Sequence, residues 1–156
     1  MAQKPAYEEL ELKIKALEKE AFERNQEDKF SLSGYETILF VDDEEMITEV
    51  VEELFEQLGY RVIIAGSGKE AVLLYEQNKE RIDMVVLDMI KPDMGGGETF
   101  DRMKIINPEV KVLLSSGYSI DGQAADILGR GCSGFIQKPF KIKELSQKLR
   151  NILDEP

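Results

Sequence analysis

The sequence predicts an α/β fold: a doubly wound, five-stranded parallel sheet with five helices, preceded by an N-terminal helix. Three observations carry that prediction. From Thr37 onward, short apolar runs alternate strictly with longer stretches of helical spacing. The apolar runs are nearly continuous, which marks strands buried on both faces under helices. The chain has 156 residues, enough for one domain with a full core and too few for two large ones.

Taken in order, residues 6–29 read as one helix. Tyr7, Leu10, Ile14, Leu17 and Ala21 recur at the spacing of a short coiled-coil seam, with Glu and Lys between them. Glu11 and Lys15 form a pair four residues apart in the favourable order. About two heptads are marginal alone, so the seam predicts pairing with a second copy, a homodimer, or with an upstream signalling helix. Gly34 marks a linker, and the expected division is a charged helix and linker over 1–36 and a folded domain over 37–156. The strands are expected at Ile38–Val41, Val62–Ala65, Met84–Leu87, Val112–Leu114 and Gly134–Ile136. Helices are expected near 45–58, 68–78, 96–106, 121–130 and 141–153, the second opened by a capping box of Ser67 and Glu70. Five βα units in this length suit the flavodoxin-like strand order 2-1-3-4-5, and right-handed crossovers then set the topology.

Composition excludes several functions. The net charge is −11, and both the first 36 residues and the remainder are acidic, which argues against direct nucleic-acid binding. There are no histidines, so a Ser-His-Asp triad, a phosphohistidine and a histidine-ligated metal are all impossible in this chain. No apolar stretch approaches a membrane span and no signal-peptide pattern opens the chain, so no membrane contact is expected. The single cysteine, Cys132, cannot form an internal disulfide. A reducing, cytoplasmic location is expected. Cys132 follows Gly131 in a turn and reads as a small buried filler rather than a redox sensor.

In open parallel sheets the functional crevice lies beyond the C-terminal strand ends. Here the first strand runs into Asp42 and Asp43, the third into Asp88, the fourth into Ser115 and Ser116, and the fifth into Lys138 and Pro139. The predicted order therefore brings three carboxylates, a hydroxyl and an ammonium to one rim. Clustered carboxylates repel unless a cation binds, and a hard divalent ion with oxygen ligands, Mg²⁺, is the natural one. A carboxylate nucleophile there can take a phosphoryl group in a reaction run by positioning and charge stabilisation. Asp88, alone at the end of the central strand, is the expected nucleophile. Asp42 and Asp43 share the metal, while Lys138 and Ser116 hold phosphoryl oxygens. Each residue also has a plainer reading. An acidic pair ahead of a helix caps it and complements its dipole, an Asp after a strand is common turn chemistry, and Lys-Pro is often an exposed turn. All of these holding at once on successive strand ends is the less economical account.

Residues 37–153 resemble a response-regulator receiver domain of two-component signalling. The stretch from Ile38 to Glu44 is similar to that family's first strand and acidic pair. Asp88 with Pro92 and Gly96 is similar to its phosphoacceptor turn, Ser116 to its Thr/Ser position, and Lys138-Pro139-Phe140 to its Lys-Pro signature. Phe135 stands at the family's aromatic switch position. The resemblance implies that Asp43, Asp88 and the backbone carbonyl of Ile90 ligate Mg²⁺, with Asp42 reaching it through water. It implies phosphoryl transfer to Asp88 from a phosphohistidine on a histidine kinase or histidine phosphotransfer domain. It further implies that Ser116 and Phe135 switch the face made by the fourth helix, fifth strand and fifth helix. Such a domain is a signalling module, not an enzyme with a separate substrate, although it assists its own phosphorylation and dephosphorylation. Lys91 in place of the usual Met, Ile90 and Tyr118 near the site, and Phe135 in place of the commoner Tyr depart from the pattern. A receiver with a helix before it and nothing after it resembles the C-terminal end of a hybrid sensor kinase, or a regulator acting by binding alone.

Two other classes fit less well. A haloacid-dehalogenase-type phosphatase also uses a strand-end Asp, Mg²⁺ and a Lys, but it carries Asp-x-Asp on its first strand and needs a cap insertion. Here Asp42 and Asp43 are adjacent and there is no room for a cap. A non-phosphorylated dimerisation module would have no use for the acidic site.

Overall fold

The valine-, isoleucine- and leucine-rich runs form strands because β-branched side chains fit a pleated surface that is covered on both sides. In the computed structural model, which describes residues 12–14, 16–17, 32–89, 94–117 and 122–155, the chain divides into two units, Met1–Ser33 and Gly34–Pro156. In the first, residues 12–14, 16 and 17 are helical, and the rest of the helix expected over 6–29 lies outside the described residues.

The second unit runs β1 (Thr37–Val41), α1 (Glu45–Gln57), β2 (Arg61–Ala65), α2 (Gly68–Asn78), β3 (Met84–Asp88), α3 (Gly96–Ile106), β4 (Val112–Ser116), α4 (Gly122–Gly129), β5 (Gly134–Gln137) and α5 (Ile142–Leu153). All strand pairs are parallel, and the order is β2-β1-β3-β4-β5. The expected flavodoxin-like topology is the one observed.

Strand alternation divides the core in two. Ile38, Phe40, Met84, Val86, Leu113 and Ile136 face α1 and α5, where they meet Val51, Phe55, Leu145 and Leu149. Leu39, Val41, Val85, Leu87, Val112 and Leu114 face the other side, where Ala71 and Tyr75 of α2, Phe100 and Met103 of α3 and Ile127 of α4 cover them. Burying each such Val, Leu or Phe stabilises the fold by about 1.5–3 kcal/mol relative to exposure. The central β3 is buried along its whole length, Asp88 included.

The helix ends are set by local chemistry. Ser67 accepts the Glu70 N–H at 3.1 Å, as a capping residue should. Glu70 reaches back to the Gly66 N–H at 3.4 Å, one residue earlier than in the usual reciprocal pair. After α1, Gly59 takes φ +99°. The Gly59 and Tyr60 amides bond Glu56 and Phe55 carbonyls at 3.0 Å, closing a Schellman turn. The Tyr60 ring then packs on that of Phe55, with centroids 5.7 Å apart.

Candidate functional site

β1 and β3 are adjacent, so their last residues share one edge of the sheet. Asp42 follows β1 with its side chain fully buried, and Asp88 closes β3 with a side chain 8% exposed. Asp43, next along, is exposed. Carboxylate oxygens of Asp42, Asp43 and Asp88 lie within 4.8 Å of one another. The sheet brings Asp42 and Asp43 to Asp88, 46 and 45 positions away in the chain, because the β1–β3 register pairs Val41 with Leu87.

Lys138, just beyond β5, reaches across to this cluster. Its Nζ lies 2.6 Å from Asp42 Oδ2 and 3.4 Å from Asp88 Oδ2, with the side chain 14% exposed. Burial alone would lower the Lys138 pKa, but the Asp42 hydrogen bond and the charges of Asp88 and Asp42 outweigh it and hold the group above the ordinary lysine range. The ammonium is therefore fully charged at neutral pH. The other Asp42 oxygen, Oδ1, accepts the Glu44 N–H at 2.9 Å. The plainer reading of the acidic pair is thus true in one detail: Asp42 does bind loop backbone. Neither Asp42 nor Asp43 is the α1 cap, however, because Glu44 holds that position.

Ser116 ends β4 in a buried position, and its carbonyl accepts the Lys138 N–H at 2.7 Å. Ser115 pairs with Asp88 across the sheet, and the Met89 N–H donates to the Ser115 carbonyl at 2.9 Å. Phe135 lies half-buried in β5, opposite Leu114 and packed on the α2–α4 side of the core. Ile90, Lys91, Pro92 and Tyr118 lie outside the described residues.

Two backbone contacts support the site, one at Gly96, already singled out in the sequence, and one at Glu44, which was not. Gly96, at the start of α3, donates its N–H to the Met89 carbonyl at 3.0 Å and closes the loop that follows Asp88. A Cβ on Gly96 would stand 2.8 Å from Met89 Cα, so only glycine lets the two backbones approach this closely. The Gly95–Gly97 run was the available signal. The Glu44 amide that orients Asp42 carries no side-chain signature at all.

This donor set fits a hard divalent cation. It offers oxygen atoms only, one of its carboxylates is open to water, and one ammonium against three carboxylates leaves surplus negative charge. Cys132, by contrast, is partly buried against the core, donates its thiol to the Val112 carbonyl at 3.0 Å, and is pushed up in pKa chiefly by burial. Those surroundings suit filler, not a reactive thiolate. Among the described residues, no helix is long and apolar enough to cross a membrane.

A family model described as response regulator receiver domain matches residues 38–150. The sensor kinase CckA of Brucella abortus is 31% identical over 135 residues, which is 86% of this chain and 14% of CckA. The probable transcriptional regulatory protein TcrX of Mycobacterium tuberculosis is 32% identical over 117 residues, 75% of this chain and 49% of TcrX. The chain thus spans half or less of these curated relatives. Among solved structures, the CheX–CheY–BeF3–Mg²⁺ complex of Borrelia burgdorferi contains a chain matched with a TM-score of 0.75 and 25% identity, over 81% of this chain and 99% of that one.

Proposed function

The chain belongs to the family of response regulator receiver domains, and from that premise we propose that Asp88 is its phosphoacceptor and that phosphorylation there is its signal. It is a module of two-component signalling, and the chain, having no histidine, carries no phosphohistidine of its own to serve as donor. The observation that carries the proposal is the convergence of Asp88, Asp42, Asp43 and Lys138 on one rim, with Lys138 Nζ 3.4 Å from Asp88.

The donor is a phosphohistidine of a histidine kinase or phosphotransfer domain. A carboxylate oxygen of Asp88 attacks phosphorus, the P–N bond breaks, and the imidazole leaves with the bonding electrons and takes up a proton. Burial of Asp88 keeps bulk water off the nucleophile, and β3 holds it at a fixed height in the sheet. Lys138 supplies a fixed positive charge to the incoming oxygens, and the Ser116 hydroxyl a donor. Asp42, Asp43, Asp88 and the Ile90 carbonyl would hold Mg²⁺, which when bound supplies charge neutralisation for the phosphoryl group. The CheY structure matched above was solved with both BeF3 and Mg²⁺, which supports the same assignment here. Asp42, already engaged by Glu44 and Lys138, suits an indirect, water-mediated contact.

The direct test is intact-mass spectrometry after incubation with acetyl phosphate and Mg²⁺. Wild type is expected to gain one phosphoryl group and Asp88→Asn none. Undiminished labelling of the variant would reject Asp88 as the acceptor.

A further inference from the structure

Two cations on α5 grip parts of the domain far apart in sequence. Lys148 donates from Nζ to the backbone carbonyl of Phe135 at 2.7 Å. Two residues on, Arg150 Nη1 donates to Glu36 Oε1 at 2.8 Å and to the Tyr60 hydroxyl at 3.2 Å, while Nη2 donates to Asp154 at 2.6 Å. The Glu36–Arg150 pair is largely shielded, with side chains 12% and 16% exposed. Burial pushes the Glu36 pKa up, but the Arg150 hydrogen bond and charge together with the backbone N–H groups of Glu36 and Tyr35 outweigh it and hold the carboxyl below its ordinary value.

The segment Gly34–Glu36 is drawn tightly into this arrangement. Glu36 Oε1 also accepts the Tyr35 N–H at 3.1 Å, and the Gly34 N–H donates to the Leu58 carbonyl at 3.0 Å. The Arg61 N–H donates to the Glu36 carbonyl at 3.0 Å. A Cβ on Gly34 would collide with Tyr60, Arg150 and Glu36 together, so glycine is what lets the chain lie against α5 here. On either side of and between its two cations, α5 is anchored by Leu145, Leu149 and Ile152 in the core. A helix pinned along one face moves as a body, so displacement at Lys148 is felt at Arg150.

We propose that α5 is a tie between Phe135 and the segment Gly34–Glu36, with Lys148 and Arg150 as positioning residues, so that the state of Asp88 is conveyed to the point where the chain enters the receiver fold. This rests on the phosphoacceptor reading and adds a direction to it. The signal leaves through the N-terminal connection as well as through the surface of α4, β5 and α5. Coupling of this kind is reciprocal, so changes at Glu36 must also reach Phe135.

Amide hydrogen exchange on the full chain tests it, with Mg²⁺ present and with or without beryllofluoride. In wild type, exchange is expected to change both at 134–149 and at 34–36 and 58–61, where the Gly34 and Arg61 amides serve as reporters. In Lys148→Met the first response is expected to persist and the second to be lost, with Lys148→Arg restoring it. Glu36→Gln, which cuts the tie at its other end, is expected to lose the second response too and stands in if Lys148→Met does not fold. A wild type in which 134–149 responds and 34–36 and 58–61 do not overturns the tie and leaves the phosphoacceptor reading intact. Survival of the second response in Lys148→Met or Glu36→Gln overturns it equally. Absence of any response in wild type removes both.

Discussion

Lys138 bonds Asp42 at 2.6 Å, although the carboxylate it is proposed to serve in phosphoryl transfer, Asp88, stands 3.4 Å from the same ammonium. One cation is thus shared between two buried acids. Its shorter bond goes to the acid that has no exposure at all, where an uncompensated charge costs most.

Lys138→Met removes that compensation. Without divalent metal, the variant is expected to lose about 2–4 kcal/mol, somewhat below the loss for breaking a fully buried pair because Lys138 keeps slight exposure. The Lys138 pKa is raised on folding, so its contribution is complete below the ordinary lysine range and fades as pH climbs through the higher folded value. Urea unfolding of both proteins should show a constant gap around neutral pH that closes in strong alkali as the Lys138 ammonium deprotonates. A gap that persisted unchanged in strong alkali would contradict this origin.

The second expectation concerns the metal. Mg²⁺ binding only the folded acidic cluster raises the melting temperature by mass action. Asp43→Asn deletes the exposed member of the cluster, relieves repulsion, and should raise the metal-free melting point by about 2–4 °C. It should also abolish the Mg²⁺ response. Calorimetry of the two proteins with and without Mg²⁺ checks both halves, and equal Mg²⁺ shifts would refute them.

Neighbouring glycines offer a third, internally controlled comparison. A Cβ on Gly96 meets Met89 backbone at 2.8 Å, whereas one on Gly95 meets nothing within 4 Å. Gly96→Ala is expected to cost about 1–3 kcal/mol, as overpacking against an unyielding neighbour does. Because Met89 follows Asp88 directly, it should also slow labelling by acetyl phosphate. Gly95→Ala should change both by little. Parallel unfolding and labelling rates decide the matter, and indistinguishable variants would mean that the close approach is unimportant.

Most of the fold was legible because its signals are local and repeated. Each expected strand lies within the observed one, and the five helices α1 to α5 agree to within a residue or so at their ends. The strands proved longer because pairing, not hydrophobicity, ends them: Asp88 and Ser116 remain in the ladder through Ser115 and Gln137. Asp42, Asp43, Asp88 and Lys138 could be grouped in advance because the strand order dictates which ends are neighbours. The grip of Arg150 on Glu36, 114 residues away, could not. Neither could Lys148 on Phe135, since an ion pair or a side-chain bond to backbone leaves no period in the sequence. The same holds for Arg130, which lies just beyond α4 and takes both oxygens of Asp101 on α3 at 2.6 and 2.7 Å.

The last expectation is that Phe135 couples the site to the surface through packing. It has no phenolic hydroxyl, so any change in its position is governed by the apolar contacts it makes on the α2–α4 side of the core. α4 is the element suited to respond. It is short, it contributes only Ala124 and Ile127 to the buried interior, and it carries Gly122 and Gly129, which lower helix stability by up to about 1 kcal/mol each relative to Ala. Both glycines face open space, so alanine there strengthens the helix without a clash. The Arg130–Asp101 bond is exposed and contributes at most about 1 kcal/mol, too little to lock α4 against α3. Phe135→Ala should therefore still label at Asp88 yet lose the beryllofluoride-induced exchange change over 122–129. Gly122→Ala should retain that change at reduced amplitude. If Phe135→Ala responds over α4 as wild type does, packing at Phe135 is not the route from Asp88 to this face.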